Sequence, residues 1–315
     1  MNRARICPAS AGWLALSLAV AAPLWAAEEP SFTRREDVIY GRKDGMALTM
    51  DVLTPKKNAN GAAVIWVVSG GWFSSHEAIR PLFVAELLSR GYTVFAVVHG
   101  SQPRYTIPDA VADLNRAVRY IRYHAKDFQV DPPRFGITGG SAGGHLSLMQ
   151  GTAGDLGNLL SLDPVERTSS RVQAVACFYP PTDFLNYGKP GNVALGTGIL
   201  ANFRAPFEFR ELDGKTRRYV AIVDQARVLQ FGRRISPITH VTKDDPPTLI
   251  LHGDADKLVP IQQSQAIIAK LKEAGVPAEL VVKPGAVHGW PNLTADMAKF
   301  ADWFDKHLAR KPTTK

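Results

Sequence analysis

Four polar residues, widely separated in the chain, have the types needed to turn a hydroxyl into a nucleophile: Ser141, His288 and the two acids Asp254 and Asp256. Ser141 is the centre of Gly139-Gly140-Ser141-Ala142-Gly143, a G-x-S-x-G pattern. A serine hydroxyl is a poor nucleophile at its own pKa, so it needs a base, and the base needs an acid to orient it. The spacing has a steric reason. A nucleophile on a sharp strand-to-helix turn sits in strained backbone, and small neighbours let the adjoining chains pass closely. Such a turn lifts the hydroxyl above the sheet edge with a helix N-terminus beneath it. The Ala142 amide then points at a developing oxyanion.

The surrounding elements decide whether the pattern is more than a glycine-rich turn. Arg134 to Thr138 reads as a short buried strand, and His145 to Ala153 has a helix composition. His252-Gly253-Asp254-Ala255-Asp256 directly follows the strand-like Pro247 to Leu251, and Ala286-Val287-His288-Gly289-Trp290 follows Ala278 to Lys283. Both acids and the histidine therefore fall at the C-terminal ends of strands, where catalytic groups of open α/β sheets gather. Upstream, Glu36 to Tyr40 and Ala47 to Leu53 alternate as an edge hairpin around Lys43-Asp44-Gly45. Ala62 to Val68 and Tyr92 to Val98 are unbroken apolar runs, as in strands buried on both faces. Helical spacing predicts helices over Glu77 to Ser89, from Pro108 onward, over Pro260 to Ala274 and over Thr294 to Leu308, and Val172 to Tyr179 is a further strand. Strands alternating with helices imply an α/β protein whose mostly parallel central sheet is covered on both sides.

Asp183 to Thr242 breaks the rhythm. It is rich in Gly and Arg, and Phe184, Tyr187, Phe203, Phe207, Phe209, Tyr219 and Phe231 are scattered through it. A structureless connection of that length is improbable inside a compact domain, so a cap or lid insertion over about 183–242 is expected. Its aromatics line an acyl or aryl pocket or form the insertion's own core, and burial tendency favours the core.

Of 315 residues, 45% are hydrophobic and 21% charged, which suits one domain with a sizeable core. Arg3 and Arg5, the apolar Ala11 to Leu24 and Ala26-Ala27-Glu28 form the tripartite pattern of an export signal over 1–27, leaving a domain over 28–315. The apolar run is too short and too broken by Pro23 for a stable membrane anchor. A periplasmic or extracellular destination is expected. Cys7 leaves with that segment, so Cys177 remains alone in an apolar strand as a buried spectator. The formal charge of +8 is spread along the chain without a nucleic-acid motif. A solvated basic surface follows, with attraction to anionic surfaces or polymers as the alternative. No histidine pair has zinc spacing and no glycine loop ends as a P-loop does, so neither metal nor cofactor is implied. Among the other histidines, His252 and His145 read as structural, and His76 falls in reach of the loop after Val68.

The order Ser141, Asp256, His288 matches the Ser–acid–His order of α/β-hydrolases. With Ser-Gly-Gly-Trp at 69–72, Gly-Gly-Ser-Ala-Gly-Gly-His at 139–145, His-Gly-Asp-Ala-Asp-Lys-Leu-Val-Pro at 252–260 and Ala-Val-His-Gly-Trp at 286–290, residues 35–309 resemble a secreted α/β-hydrolase serine esterase. The resemblance is to the acetylxylan- and feruloyl-esterase-like kind, related to the hormone-sensitive-lipase and prolyl-oligopeptidase-like groups. It implies an α/β-hydrolase fold, Asp256 rather than Asp254 as the acid, and oxyanion donors at Gly70, Gly71 and Ala142. It also implies Trp72 at the substrate. The family usually has His-Gly-Gly-Gly-Trp here, whereas this chain has Val68-Ser69-Gly70-Gly71-Trp72. The histidine that braces the family's loop is thus replaced.

The implied activity is hydrolysis of small to medium acyl esters through an acyl-enzyme, on a small-molecule or polysaccharide-linked ester such as an acetyl or feruloyl group. A prolyl-oligopeptidase-like peptidase is the alternative, but there is no room for a propeller and 183–242 is short of acids to hold a substrate amine. A non-catalytic binding protein on the same fold is a third reading, and it predicts a damaged triad.

Overall fold

The predicted edge hairpin forms from Phe32–Lys43 (β1) and Met46–Pro55 (β2), paired antiparallel around Asp44 and Gly45. A computed structural model of the chain describes residues 31–310, so the export signal expected over 1–27 lies outside the described residues. Ala63–Val67 (β3) is buried along its whole length. Its side chains alternate between two cores: Ala63, Ile65 and Val67 join one, Val64 and Trp66 the other. That is why the run carries no polar residue, since both faces of the strand are covered.

The helix expected over Glu77 to Ser89 forms only as Ala85–Ser89 (α1), preceded by two 3-10 turns. Pro81 opens the second turn; it has no amide to bond back and its ring crowds the preceding turn, so one continuous helix cannot form. Thr93–Val97 (β4) follows, then Ile107–Tyr123 (α2), entered through a capping box between Thr106 and Asp109. Phe135–Gly140 (β5) and Ala142–Ala153 (α3) meet at Ser141. Ala174–Phe178 (β6) is fully buried and carries Cys177, whose thiol burial pushes up.

Residues 183–242 contain 3-10 turns, a small antiparallel hairpin of Arg210–Leu212 (β7) and Tyr219–Ala221 (β8), and the helix Gln225–Arg234 (α4). Phe184, Tyr187, Phe207 and Phe209 are buried there in the same core that holds α2 and α3. The chain then returns through Thr248–Gly253 (β9), Gln262–Glu273 (α5), Ala278–Lys283 (β10) and Met297–His307 (α6). The eight-stranded sheet has the order β1-β2-β4-β3-β5-β6-β9-β10. Its β1–β2 and β2–β4 pairs are antiparallel, and every later pair is parallel.

Candidate active site

The sharp turn at Ser141 exists because two glycines permit it. Ser141 has φ 54° and ψ −119°, a strained conformation for a residue with a side chain. A Cβ on Gly139 would stand 2.5 Å from the Gly143 carbonyl carbon, and one on Gly143 would stand 2.7 Å from the Val67 oxygen. Strand, turn and helix therefore touch backbone to backbone, and any larger residue would open the elbow. The Ser141 amide donates to the Phe178 carbonyl at 3.0 Å, which pins the turn to β6. Phe178 itself is wedged between Phe83, Trp290 and Phe300, so this anchor is set by core packing.

The other two groups come from the ends of β9 and β10. His288 Nε2 lies 2.9 Å from Ser141 Oγ, and His288 Nδ1 lies 2.7 Å from Asp256 Oδ2. Asp256 is 7% exposed. Its Oδ1 accepts from the Leu258 and Val259 amides, each at 2.9 Å. Burial alone would raise this carboxyl, but the polar His252 Nε2–H at 3.3 Å and hydrogen bonds from His288 and the Val259 amide outweigh burial and hold it well below the usual carboxylate range. It is a fixed anion. Asp254 is placed elsewhere: it is exposed and accepts from the Gly285 amide at 2.6 Å, closing the loop. His252 is buried, donates from Nε2 to the Val259 carbonyl at 2.8 Å and accepts at Nδ1 from Ser264 at 2.6 Å. It therefore shapes the loop that presents Asp256.

The oxyanion side differs from expectation at two residues. Gly70 and Gly71 both line the pocket, but the Gly70 amide donates to the Phe73 carbonyl at 2.9 Å and is already committed. Gly71, at φ 55°, has an amide with no backbone acceptor among the described residues; the Ala142 amide, first in α3, is likewise uncommitted. The available donors are thus Gly71 and Ala142, not Gly70. Trp72 is the second correction. At φ 60° its side chain turns away from the pocket; it is 3% exposed and does not line the cavity. It packs edge-on to Phe207 at 5.1 Å and donates from Nε1 to His145 Nδ1 at 3.1 Å. His145 Nε2 donates to the Ile235 carbonyl at 2.7 Å, so α3 ties the loop to the 183–242 segment. Burial lowers this imidazole to about 4, which keeps Nδ1 free to accept.

One residue of the site carried no signal in its own neighbourhood. His99, just beyond β4, accepts at Nε2 from Ser69 Oγ at 2.9 Å and donates from Nδ1 to the Gly100 carbonyl at 2.9 Å. Burial lowers it to about 4, so it is neutral and can accept. The serine that stands before Gly70-Gly71 is braced by a histidine from the loop after β4. Ser74 adds a second support, donating to the Val68 carbonyl at 2.6 Å. His76, by contrast, does not line the pocket and lies 3.4 Å from Asp51.

The pocket above Ser141 has a volume of about 470 Å³ and walls that include Trp66, Phe83, Tyr179, Phe203 and Leu258. Phe203 covers Gly71, and the Tyr179 ring faces His288 at 4.5 Å. A larger groove of about 650 Å³ lies between β1 and α2, but ion pairs of Lys43 with Asp113 and of Arg116 with Asp163 and Glu166 occupy its charges. No serine, threonine or cysteine lines it.

The BD-FAE family profile matches residues 50–271. The chain is 31% identical over 247 residues to the probable carboxylic ester hydrolase LipM of Mycobacterium tuberculosis, an alignment covering 75% of this chain and 51% of LipM. It spans about half the length of LipM and of the esterase LipQ from the same organism. Among solved structures, a truncated carbohydrate esterase from gut microbiota superposes with a TM-score of 0.71 at 27% identity, covering 90% of this chain and 99% of that one. A bifunctional GH43-CE protein of Bacteroides eggerthii does so with a TM-score of 0.70 at 26% identity, covering 88% and 38%. With an eight-stranded, mostly parallel sheet, a strained serine between β5 and α3, and a profile match across most of its length, the chain belongs to the BD-FAE family of α/β-hydrolases.

Proposed function

We propose that this chain is an exported serine carboxylic-ester hydrolase in which Ser141 is the nucleophile, His288 the general base and Asp256 the orienting acid. The observation that carries the reading is the unbroken hydrogen-bond chain from Ser141 Oγ through His288 to Asp256 at the floor of an apolar pocket. His288 Nε2 takes the hydroxyl proton as Ser141 Oγ attacks the acyl carbon, and the carbonyl electron pair moves onto oxygen. The Gly71 and Ala142 amides receive that oxyanion. His288 then gives the proton to the departing alkoxy oxygen as the ester C–O bond breaks. In the second half His288 deprotonates water, hydroxide attacks the acyl-enzyme, and Ser141 leaves with its proton restored. Asp256 keeps the proton on Nδ1, so Nε2 faces the serine as an acceptor.

The pocket volume and its aromatic walls support small to medium acyl groups, including a phenylpropenoyl ring. The carbohydrate esterase from gut microbiota supports an ester carried on a carbohydrate, and the motif resemblance supports an acetyl or feruloyl group on it. Residues 183–242 act as a cap, since Phe203 forms one wall. The export pattern over 1–27 supports a periplasmic or extracellular site of action.

The test is hydrolysis of p-nitrophenyl acetate, butyrate and octanoate and of methyl ferulate by wild type and Ser141→Ala. Loss of turnover by roughly 10⁴ or more in the variant is expected. Equal rates in the two proteins would remove Ser141 from the mechanism, and turnover of aminoacyl anilides but not esters would favour a peptidase.

A further inference from the structure

The β7–β8 hairpin is unusual in that every residue of both strands is exposed. It is nevertheless firmly mounted. Phe209 and Ile222 at its base are buried and joined by an Ile222 amide to Phe209 carbonyl bond of 2.9 Å, and Phe209 stacks on Phe231 of α4 at 4.7 Å. Arg227 of α4 grips Glu211 through two bonds of 2.8 and 2.6 Å.

The carboxylates of the arm itself already have tasks, and of the two on the neighbouring wall Asp109 pairs with Lys43 and Asp44 lies beside Arg104. Glu208 pairs with Arg204 at 3.1 Å and Glu211 with Arg227. Asp213 caps the turn by accepting from the Lys215 and Thr216 amides, and Asp224 caps α4. Among the described residues, Arg210, Lys215, Arg217 and Arg218 meet no carboxylate, and neither does the neighbouring Arg104. The cations therefore outnumber the acids left to meet them, with Asp44 the one carboxylate of the neighbouring wall outside an ion pair. In the register of the hairpin Leu212 pairs with Tyr219 and Arg210 with Ala221, so Arg210, Leu212 and Tyr219 share one face. The Tyr219 side chain is 64% exposed, and the Arg210 guanidinium lies 5.7 Å from its ring centre. Open grooves of about 430 and 750 Å³ flank this pair. The larger is lined also by Arg204, the residue after the pocket wall Phe203.

We propose that the β7–β8 arm docks a uronate-bearing polysaccharide beside the catalytic pocket. The exposed Tyr219 ring carries the Arg210 guanidinium over one face and offers the other to the apolar face of a sugar; Arg210 donates from one Nη to the Arg104 carbonyl, and its remaining N–H groups take a carboxylate. Several unmatched cations along one arm suit a polymer that repeats the charge, because single exposed ion pairs are individually weak. The role of the arm in ester hydrolysis rests on the function proposed above; its binding does not.

The experiment uses the full chain carrying Ser141→Ala, with binding measured by affinity electrophoresis in polygalacturonate and in neutral arabinoxylan. Retardation by polygalacturonate alone is expected, weakened about tenfold in Arg210→Gln/Arg217→Gln/Arg218→Gln and also weakened in Tyr219→Ser. A control removes the same charge elsewhere, through Lys126→Gln/Lys272→Gln/Lys299→Gln, and is expected to bind as the parent does. Equal weakening in the control would overturn the proposal in favour of net charge. So would equal retardation by arabinoxylan, or capture by phosphatidylglycerol vesicles without binding to polygalacturonate. With Ser141 restored, the arm variants are expected to turn over p-nitrophenyl acetate as wild type does, which shows that they fold. If wild type proves inactive on every ester while polygalacturonate binding follows the arm, the docking stands and the esterase reading falls.

Discussion

The buried bridge through His145 makes the protein's stability depend on pH in a way that one substitution can expose. His145 accepts from Trp72 Nε1 and donates to the Ile235 carbonyl, so protonating Nδ1 would set one donor against another. Burial lowers both His145 and His99 to about 4, against roughly 6.5 in an unfolded chain. A folded value below the unfolded one means stability that is fully present above the unfolded pKa. It is lost as pH falls toward the folded pKa, because the unfolded chain takes up the proton first. From pH 7 to pH 5 each histidine removes about 2 kcal/mol, and the two together about 4, a large part of the 5–15 kcal/mol typical of a domain. In His145→Gln the carboxamide can still accept from Trp72 and donate to Ile235, but it does not titrate. Urea unfolding followed by tryptophan fluorescence at pH 7, 6 and 5 should therefore give a slope about 2 kcal/mol shallower in the variant over that range. Asp113 and Asp245, which burial raises, act in the opposite direction but equally in both proteins, so they cancel in the difference. Parallel stability–pH lines for wild type and His145→Gln would refute the argument.

Three further outcomes follow from the site. Asp256→Asn should lower kcat on p-nitrophenyl acetate by about 10⁴, because the amide cannot hold the same tautomer of His288, whereas Asp254→Asn should change it by less than about threefold. In Gly71→Ala the new Cβ would meet the Phe203 ring at 2.6 Å in a backbone conformation of φ 55°, so the amide must move. A kcat loss of roughly tenfold or more is expected, and only partial recovery when Phe203→Ala is added, since the torsional strain remains. Ser69→Ala and His99→Gln should each lower kcat by roughly tenfold with little change in KM, as expected when an oxyanion donor is displaced rather than removed, and Ser69→Thr should restore most of it. A rise in KM at constant kcat would place the brace in substrate binding instead.

The parts of the molecule most legible in the sequence are those whose residue types answer one local demand. Ala63–Val67 had to be apolar throughout because both faces are covered, and Gly139 and Gly143 had to be glycine because a Cβ would strike backbone. The acid and histidine loops announced themselves by following strands. What the residues conceal is direction. Trp72 follows Gly70-Gly71 and looks like a pocket residue, yet its φ of 60° sends the indole toward Phe184 and Phe207. The Gly70 amide looks free until the chain turns back and Phe73 takes it. His99 lies 30 residues from Ser69 and in no recurring pattern, so only the neighbouring ends of β3 and β4 reveal the pair. Pro81 was visible, but the apolar spacing around it suggested more helix than a chain lacking that amide can form.

The two halves of the site are held by different means, and this bears on how each responds to change. Ser141 is fixed by backbone: Gly139 against Gly143, Gly143 against Val67, and its own amide on Phe178. The Gly71 amide is fixed by side chains from elsewhere, with His99 on Ser69, His145 on Trp72 and the Phe203 ring over Gly71 itself. Two of these supports depend on residues 183–242, through Phe203 and the Ile235 carbonyl. Donors aimed in advance stabilise an oxyanion because nothing has to reorganise when charge develops. Substitutions in that distant segment can thus act on kcat through the oxyanion side while the Ser141–His288–Asp256 chain keeps its geometry. Under the proposed function, variation there alters the rate of ester cleavage without touching Ser141.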